Sequence, residues 1–402
     1  MSHGDAYQSY FILKHYMDVV FSGNWQDLTT LPMLYGFKDS LFLNEHYLFH
    51  AFMVLPLYLL TKNIIFSVNL MTVLIIVFNF LAMYVFSFYL TKRVLPAVLA
   101  GTIFTLGPYV FARFPDHLLL ITLFWIPLIF LFFEKSLKDP NGKNSFLFFL
   151  MLTGQSLSSI YYSVFLTVIL PIYIIIRFVQ TKVSVRRFLN WGTFIGAAIL
   201  ILVVAVTALA YYPTLSSDKI DRSPDAKVNF SAHLTDWLFM PPNNLVYGGV
   251  KEHIAQIIPL WVDVGIASEH NLFVGLVPIS ILIASFWILR KSSNRRRYWL
   301  FLGLLFLSFL LSLGWEIYVN NNIRIPGPYI LFNFVDPLLT YTRVTARFAV
   351  FVVFFLALIV GLTFAHFPEK VTPKKVLVIQ IFVLGLMVIE YWNQPLRFYQ
   401  IP

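Results

Sequence analysis

Residues 64–90 read IIFSVNLMTVLIIVFNFLAMYVFSFYL, an apolar stretch without a charged side chain. A helix needs about 20 apolar residues to cross the hydrocarbon core of a bilayer, so this stretch is long enough to span a membrane. The whole chain has the same character, because 59% of its 402 residues are hydrophobic and only 12% are charged. A soluble domain carries roughly twice that share of charged residues. The chain is therefore predicted to be an all-α polytopic membrane protein.

Further apolar stretches follow the first, and together they predict about ten membrane-spanning helices. The predicted spans are Ile64–Leu90, Val94–Phe111, Leu118–Phe133, Ser145–Ile160, Ser163–Ile176, Phe188–Tyr211, Asn271–Leu289, Tyr298–Trp315, Phe348–Phe364 and Val376–Ile389. They divide the chain into an opening segment (1–63), an N-terminal helix core (64–212), a loop (213–270) and a C-terminal group of spans (271–402) with a long loop at 316–347.

Lys and Arg recur in every second loop between these spans, and this pattern predicts the orientation. Cytoplasmic loops of membrane proteins carry an excess of Lys and Arg. The loops assigned to the cytoplasm contain Lys92 and Arg93; Lys135, Lys138 and Lys143; Arg177, Lys182, Arg186 and Arg187; Arg290, Lys291 and Arg295 to Arg297; and Lys370, Lys374 and Lys375. The alternate loops, and with them residues 1–63, are then exocytoplasmic. This placement explains the net charge of +10 without a nucleic-acid partner.

The absence of cysteine excludes disulfides and thiolate metal sites.

The opening segment, residues 1–63, is expected to lie at the outer membrane interface. Ala6–Phe21 places most of its aromatic side chains near one face at helical spacing, as an interfacial amphipathic helix does. Tyr47–Leu60 is apolar but too short to cross comfortably, and Pro56 interrupts it, which indicates a second interfacial or re-entrant helix. The first residues lack the pattern of a cleavable signal peptide. A segment that begins outside is therefore expected to follow another span ahead of Met1.

Ionisable side chains are missing near the middle of the predicted spans, while acids and histidines collect on the predicted outer side. Ion-coupled transporters usually keep such groups at the membrane midplane. The pattern therefore favours a site at the outer boundary of the bilayer. Asp5 is the first candidate there. It is a helix N-cap, a general base or a metal ligand, and one residue can combine these roles.

Four acid–histidine pairs in the outer segments supply further candidates: Glu45-His46, Asp116-His117, Glu252-His253 and Glu269-His270. Adjacent residues on a helix point apart, so no single pair forms a catalytic dyad. Most of these pairs are expected to be polar loop ends. A converging subset would offer oxygen and imidazole ligands to a divalent cation.

Arg343 and Arg347 lie four residues apart just before the predicted span Phe348–Phe364, a spacing that predicts one helix face at the outer boundary. They are either lipid-facing anchors or an anion site. Positive charge on the outer side runs against the usual bias, and guanidinium groups suit phosphate oxygens. Arg113 is a third cation of this kind. A polar notch between two short spans either binds a sugar or caps two helix ends, and capping is favoured. It consists of Gln155, Ser158, Ser159, Tyr161 and Tyr162.

Several segments combine into a familiar pattern: Gly4-Asp5 at the start of the first outer loop, interfacial helices before the next span, FARFPDH at 111–117, SSIYY at 158–162, SEHNLFVG at 268–275 and RVTARF at 343–348. In this combination the chain resembles the GT-C superfamily of membrane glycosyltransferases, and within it YfhO-like prokaryotic membrane proteins. The resemblance implies an inverting transfer of a sugar from a polyprenyl-phosphate donor to a glycan, lipid or protein acceptor, on the outer face of the cell membrane.

The resemblance also implies roles for residues. Asp5 matches the family's first-loop acid, a catalytic base or a ligand of Mg²⁺ or Mn²⁺, although many members have a second acid beside it and this chain does not. Asp116 and His117 are the other catalytic candidates. The candidates for substrate binding are Arg343, Arg347, Arg113, Glu45, His46, Glu269, Tyr161 and Tyr162. Two other functions stay open: a lipid or polysaccharide transporter or flippase, and a catalytically silent membrane scaffold of the same fold.

Overall fold

The chain is mostly helical. Its computed structural model describes residues 4–32, 38–215, 230–238, 243–248, 250, 269–318, 324–331, 342, 344–367 and 371–394, without the side chains of residues 5, 214 and 215. The helices are α1 (Gly4–Ser22), α2 (Leu48–Thr61), α3 (Ile64–Thr91), α4 (Val94–Leu106), α5 (Pro108–Phe111), α6 (Leu118–Ile121), α7 (Trp125–Lys138), α8 (Gly142–Ser158), α9 (Ile160–Thr181), α10 (Val185–Phe188), α11 (Trp191–Leu215), α12 (Leu276–Leu289), α13 (Arg295–Ser312), α14 (Ala349–Ala365) and α15 (Pro373–Glu390). Short 3₁₀ turns lie at Trp25–Asp27, Ser40–Leu43, Leu234–Trp237 and Thr345–Phe348.

Six helical stretches in the described part of the chain are long and apolar enough to cross a membrane. They are Ile64–Thr91, Val94–Phe111, Leu118–Lys138, Ile160–Thr181, Trp191–Pro213 and Thr345–Ala365. Each overlaps a span predicted from the sequence, so the prediction of a helical membrane protein is confirmed. The count of ten spans stays a prediction.

Helix α14 lies at the centre of the fold, with all but its last residue buried. It packs against α3 and α4 from the first half of the chain and against α12 and α13 from the second half. The predicted groups 64–212 and 271–402 therefore share one core. Helix α11 is at the opposite extreme, because it packs on α8 and exposes most of its apolar side chains, as a helix at the lipid-facing edge would.

Two of the six stretches are interrupted, each close to its predicted outer end. The first breaks between α4 and α5 at Gly107, whose backbone is extended because the following Pro108 disfavours a helical conformation before it. The second breaks between α6 and α7. There Asn79, buried in the middle of α3, donates to Ile121 O at 2.7 Å and accepts from Leu123 N at 3.0 Å. Broken backbone at membrane depth needs such partners.

Helix ends assigned to the cytoplasm meet one another. Glu134 near the end of α7 accepts hydrogen bonds from Arg177 in α9 at 2.5 and 2.8 Å and from Arg297 in α13 at 3.2 Å. Asn294, just before α13, lies 2.7 Å from His366, just after α14. The assigned outer ends meet one another as well, at Glu45 with Ile160 and at Arg113 with Glu269. Each of these contacts joins segments that the charge pattern assigns to the same side of the membrane.

The first and the last turn of α2 each contact the predicted outer end of a neighbouring helix. His50, in its first turn, lies 2.8 Å from Thr122 between α6 and α7, and Thr61, at its end, lies 2.8 Å from Ser67 in the first turn of α3. Both ends of α2 therefore contact segments that the charge pattern assigns to the outer side.

The structure differs from the expectations at three places. The spans predicted at Ser145–Ile160 and Ser163–Ile176 are separated by the single residue Ser159, so Tyr161 and Tyr162 belong to α9. The helix expected from Asn271 begins at Leu276. Arg347 lies in a helical turn that begins at Thr345 after a non-helical Val344. Arg343 lies outside the described residues, and so does the helix face expected for it and Arg347. A two-stranded antiparallel ribbon, β1 (Glu316–Tyr318) with β2 (Arg324–Pro326), adds strand structure that the sequence pattern does not predict.

Candidate functional site

Two arginines share one buried carboxylate at the predicted outer end of the central helix. Arg347, in the turn before α14, donates to Glu269 Oε1 from Nε at 2.9 Å and from Nη2 at 2.6 Å. Arg113, after α5, donates from Nη2 to Glu269 Oε2 at 2.7 Å. All three side chains are buried. Residues 78 and 156 positions apart thus form one cluster, Arg113–Glu269–Arg347, which we call the arginine cluster.

Tyrosine rings hold the two guanidinium groups in place. The Arg113 guanidinium lies 3.8 Å from the centre of the Tyr109 ring, and that of Arg347 lies 4.3 Å from the Tyr161 ring. Each cation therefore gains a favourable contact with an aromatic face. Tyr109 OH lies 2.9 Å from Tyr162 OH, which donates to Leu120 O at 2.8 Å. The cluster thus rests on α5, α6 and α9, beside both breaks in the interrupted spans.

The cluster carries excess positive charge. Burial raises the pKa of Glu269, but the charges of Arg347 and Arg113 outweigh this effect and hold that pKa below its ordinary value. The carboxylate is therefore ionised, and one negative charge faces two positive ones. The buried Nε of Arg113 has no hydrogen-bond partner among the described residues. Permanently charged, planar donors of this kind bind carboxylate and phosphate oxygens.

Glu45 lies next to the arginine cluster at the start of α9. Its Oε2 accepts a hydrogen bond from Ile160 N at 3.0 Å, and its charge interacts with that of Arg347. Burial raises the pKa of Glu45, although the Ile160 N–H and Arg347 act in the opposite direction. Glu45 and Tyr161 are only half-buried, so they form the accessible edge of the cluster. A half-buried carboxylate with a raised pKa is suited to exchange a proton.

The junction of α2 and α8, beside Glu45, contains further buried polar groups. Gln155 is fully buried near the end of α8, and neither its Oε1 nor its Nε2 has a partner among the described residues. The same holds for Nδ1 of the fully buried His50. Buried polar atoms almost always have a partner. These atoms therefore point to a polar ligand or ordered water at this junction. His46 is buried here too, and burial lowers its pKa to about 4.

The other candidates stand as follows. Asp5 belongs to α1 and follows Gly4, the first described residue; its side chain lies outside the described residues, so its expected role as an N-cap stays a prediction. Arg343 and residues 252–253 also lie outside them. Asp116 and His117 are half-buried in the turn between α5 and α6, where His117 interacts electrostatically with Glu269. Eight candidates thus lie in or next to one region: Arg113, Arg347, Glu269, Tyr161, Tyr162, Glu45, His46 and His117.

One part of this region is not apparent from the sequence. Tyr109 lies beside an apolar run, and nothing in its spacing distinguishes it from a core residue, whereas Gln155 belongs to the polar notch expected from the sequence. The segment that holds Arg347 is also unexpected. Thr345 Oγ1 donates to Ser231 Oγ at 3.1 Å, and Ala346 N donates to Phe230 O at 3.2 Å, so residues 230–232 pack against the turn of Arg347.

Gly314 is required at this packing contact. Its φ is +73°, and a Cβ there would lie 2.0 Å from Ser231 Oγ and 2.5 Å from Thr345 Oγ1. Replacing Gly314 by alanine is expected to lower the free energy of unfolding by about 1–3 kcal/mol, because the new side chain meets both an unfavourable φ and a filled space. Unfolding measured in detergent micelles tests this, with Gly385→Ala on the open face of α15 as the control. Equal stability of the two variants would contradict the packing described here.

Comparison with protein-family models, curated proteins and solved structures gives no match for this chain.

Proposed function

We propose that this protein is a membrane-embedded glycosyltransferase of the GT-C type, which moves a sugar from a polyprenyl-phosphate donor to an acceptor on the exocytoplasmic side of the cell membrane. In this proposal about ten helices cross the bilayer, and α1 and α2 lie in the outer interface. The glycosyltransferase assignment rests on the sequence resemblance and on the arginine cluster.

The observation that carries the proposal is the excess positive charge of the arginine cluster at the ends of interrupted helices. Membrane proteins place interrupted helices where the backbone is buried in protein or lines a binding cavity. During transfer the acceptor oxygen bonds to the anomeric carbon while the bond from that carbon to the phosphate oxygen breaks. The phosphate takes up the negative charge of the leaving group. Fixed guanidinium donors such as Arg347 and Arg113 would stabilise that charge as it develops.

The neighbouring polar groups suit the acceptor side of the reaction. A carboxylate must take the proton of the acceptor hydroxyl, and Asp5 is the proposed base, with Glu45 as the second carboxylate of the site. Gln155, with both amide atoms available, and Tyr161 offer hydrogen bonds to sugar hydroxyls. A lipid-linked donor would enter sideways from the bilayer, past the half-buried edge at Glu45 and Tyr161.

The test is donor binding and sugar transfer by purified protein in liposomes that contain a polyprenyl-phosphate sugar. Arg347→Gln is expected to lower turnover by about 10²–10³-fold, the usual effect of losing one donor to a developing oxyanion. Arg347→Lys keeps the positive charge but loses the planar, two-pronged arrangement of guanidinium N–H donors. Its turnover is therefore expected to lie between those of the wild type and the glutamine variant.

The matched control is Arg324→Gln, because Arg324 is exposed on β2 and faces Glu316 at 3.4 Å. It should transfer sugar at the wild-type rate. Undiminished donor binding and transfer in a folded Arg347→Gln protein would make the arginine cluster purely structural. Donor lipid that crosses the bilayer without loss of its sugar would instead favour a flippase.

A further inference from the structure

His233, Asp236 and His270 form a second polar cluster, separate from the arginine cluster. One ligand atom of each lies within 4.8 Å of the others, and all three side chains are buried. Two of them come from the segment 230–238 and the third from the segment 269–274, so the cluster joins two loops on the predicted outer side. Among the described residues, this is the one group of three metal-ligating side chains whose ligand atoms lie so close together.

The local geometry orients these side chains toward a common point. Asp236 Oδ2 accepts from the His233 backbone N–H at 2.7 Å and lies 2.6 Å from His270 Nδ1. The two imidazole rings are stacked, with centroids 4.9 Å apart and an interplanar angle of 23°. Leu272 N donates to Asp236 O at 3.2 Å, which fixes one loop to the other. The backbone contacts therefore hold the three side chains in position independently of any ligand.

We propose that His233, Asp236 and His270 bind a divalent transition-metal cation of the zinc type. Two imidazole nitrogens with one carboxylate oxygen is a ligand set that zinc sites use with a fourth position left for water. Mg²⁺ prefers oxygen ligands, so this set selects against it. Neighbouring ligands of tetrahedral zinc are about 3.3 Å apart, so the cation would separate Asp236 and His270 slightly and draw His233 inward.

A cation bound at this site would also affect the arginine cluster. His270 follows Glu269 directly, so a cation held by His270 would fix the position of Glu269 between the two arginines. The cation would thus tie the segment 230–238, which also packs on the turn of Arg347, to the loop that carries the shared carboxylate. The proposal does not depend on the reaction that the protein catalyses.

Metal analysis of the purified full chain, with any polyhistidine tag removed, is the test. Wild-type protein is expected to keep about one equivalent of zinc after dialysis. Chelator-treated protein should unfold at a lower temperature and regain its stability with Zn²⁺ but not with Mg²⁺. Co²⁺ in place of zinc should show the visible absorption of a four-coordinate site. Less than stoichiometric zinc with an unfolding temperature that ignores added Zn²⁺ would overturn the proposal without any variant.

The variant His233→Ala locates the site. It removes one ligand but keeps the backbone N–H that bonds Asp236 and the contact of Asp236 with His270, so the two loops stay joined. It is expected to lose most of the bound zinc and the stabilisation by Zn²⁺. His366→Ala is the control, because His366 pairs with Asn294 at the predicted cytoplasmic end. Full zinc content in His233→Ala would place the metal elsewhere and contradict the assignment.

Discussion

Replacing Glu269 by glutamine is expected to lower the free energy of unfolding by about 3–5 kcal/mol, the usual result of removing one partner from a buried ionic cluster. Glu269 is the carboxylate that Arg113 and Arg347 share, at 2.7 and 2.6 Å, and neither arginine can lose its charge. The variant leaves two buried guanidinium groups facing a neutral amide. Chemical unfolding in detergent micelles measures the difference.

Two comparisons make this result interpretable. Glu316→Gln removes an exposed carboxylate that faces Arg324 at 3.4 Å, and its effect should be about 0–1 kcal/mol. The double variant Glu269→Gln with Arg347→Met should be less destabilised than the sum of its single variants, because it removes a charge together with its partner. A Glu269→Gln protein as stable as Glu316→Gln would mean that the arginine cluster is hydrated and contributes little.

The membrane-spanning elements were predictable because length and apolar content decide them. The span predicted at Ile64–Leu90 is the helix Ile64–Thr91, and that predicted at Phe348–Phe364 is the helix Ala349–Ala365. The interruption after residue 121 was not predictable, because Leu118–Phe133 is apolar without a break. The interruption is possible because Asn79, in a different helix, bonds the backbone groups that the break leaves without helical partners. The local sequence around residue 121 cannot reveal a hydrogen-bond partner that lies 42 residues away in the chain.

The candidate residues were easier to propose than their pairings. Charge on the predicted outer side singles out Arg113, Arg347 and Glu269 one at a time, since such groups are costly near a bilayer. Their meeting depends on the packing of α14 against α4 and α12, which the sequence does not state. His233 was not singled out, and Asp236 stood only among the acids of the predicted outer side, although the two lie three residues apart in one turn. Their third partner, His270, is 34 positions from Asp236, so no metal-binding spacing is visible.

Asp5→Asn is expected to lower turnover in the liposome transfer assay by about 10²–10⁴-fold, the range that a general base contributes. Asparagine cannot take the proton from the acceptor hydroxyl, so turnover falls. Because asparagine has nearly the same shape as aspartate, binding of the sugar donor should persist. Asp18→Asn is the control, because Asp18 lies on the same helix and pairs with Lys14 on its exposed face at 2.6 Å. Undiminished transfer by Asp5→Asn would exclude Asp5 as the base.

Glu45→Gln decides between the two carboxylates. Glu45 accepts the Ile160 N–H, an interaction that glutamine can keep through its amide oxygen, so a role in binding predicts a modest change that falls mainly on KM. A role as base predicts loss of kcat instead. The pH profile separates these cases, because a base ionises at its pKa and burial raises that of Glu45. If Glu45 is the base, the acid limb of the wild-type profile should lie above the ordinary carboxyl range. If Asp5 is the base, removal of Glu45 should leave that limb in place.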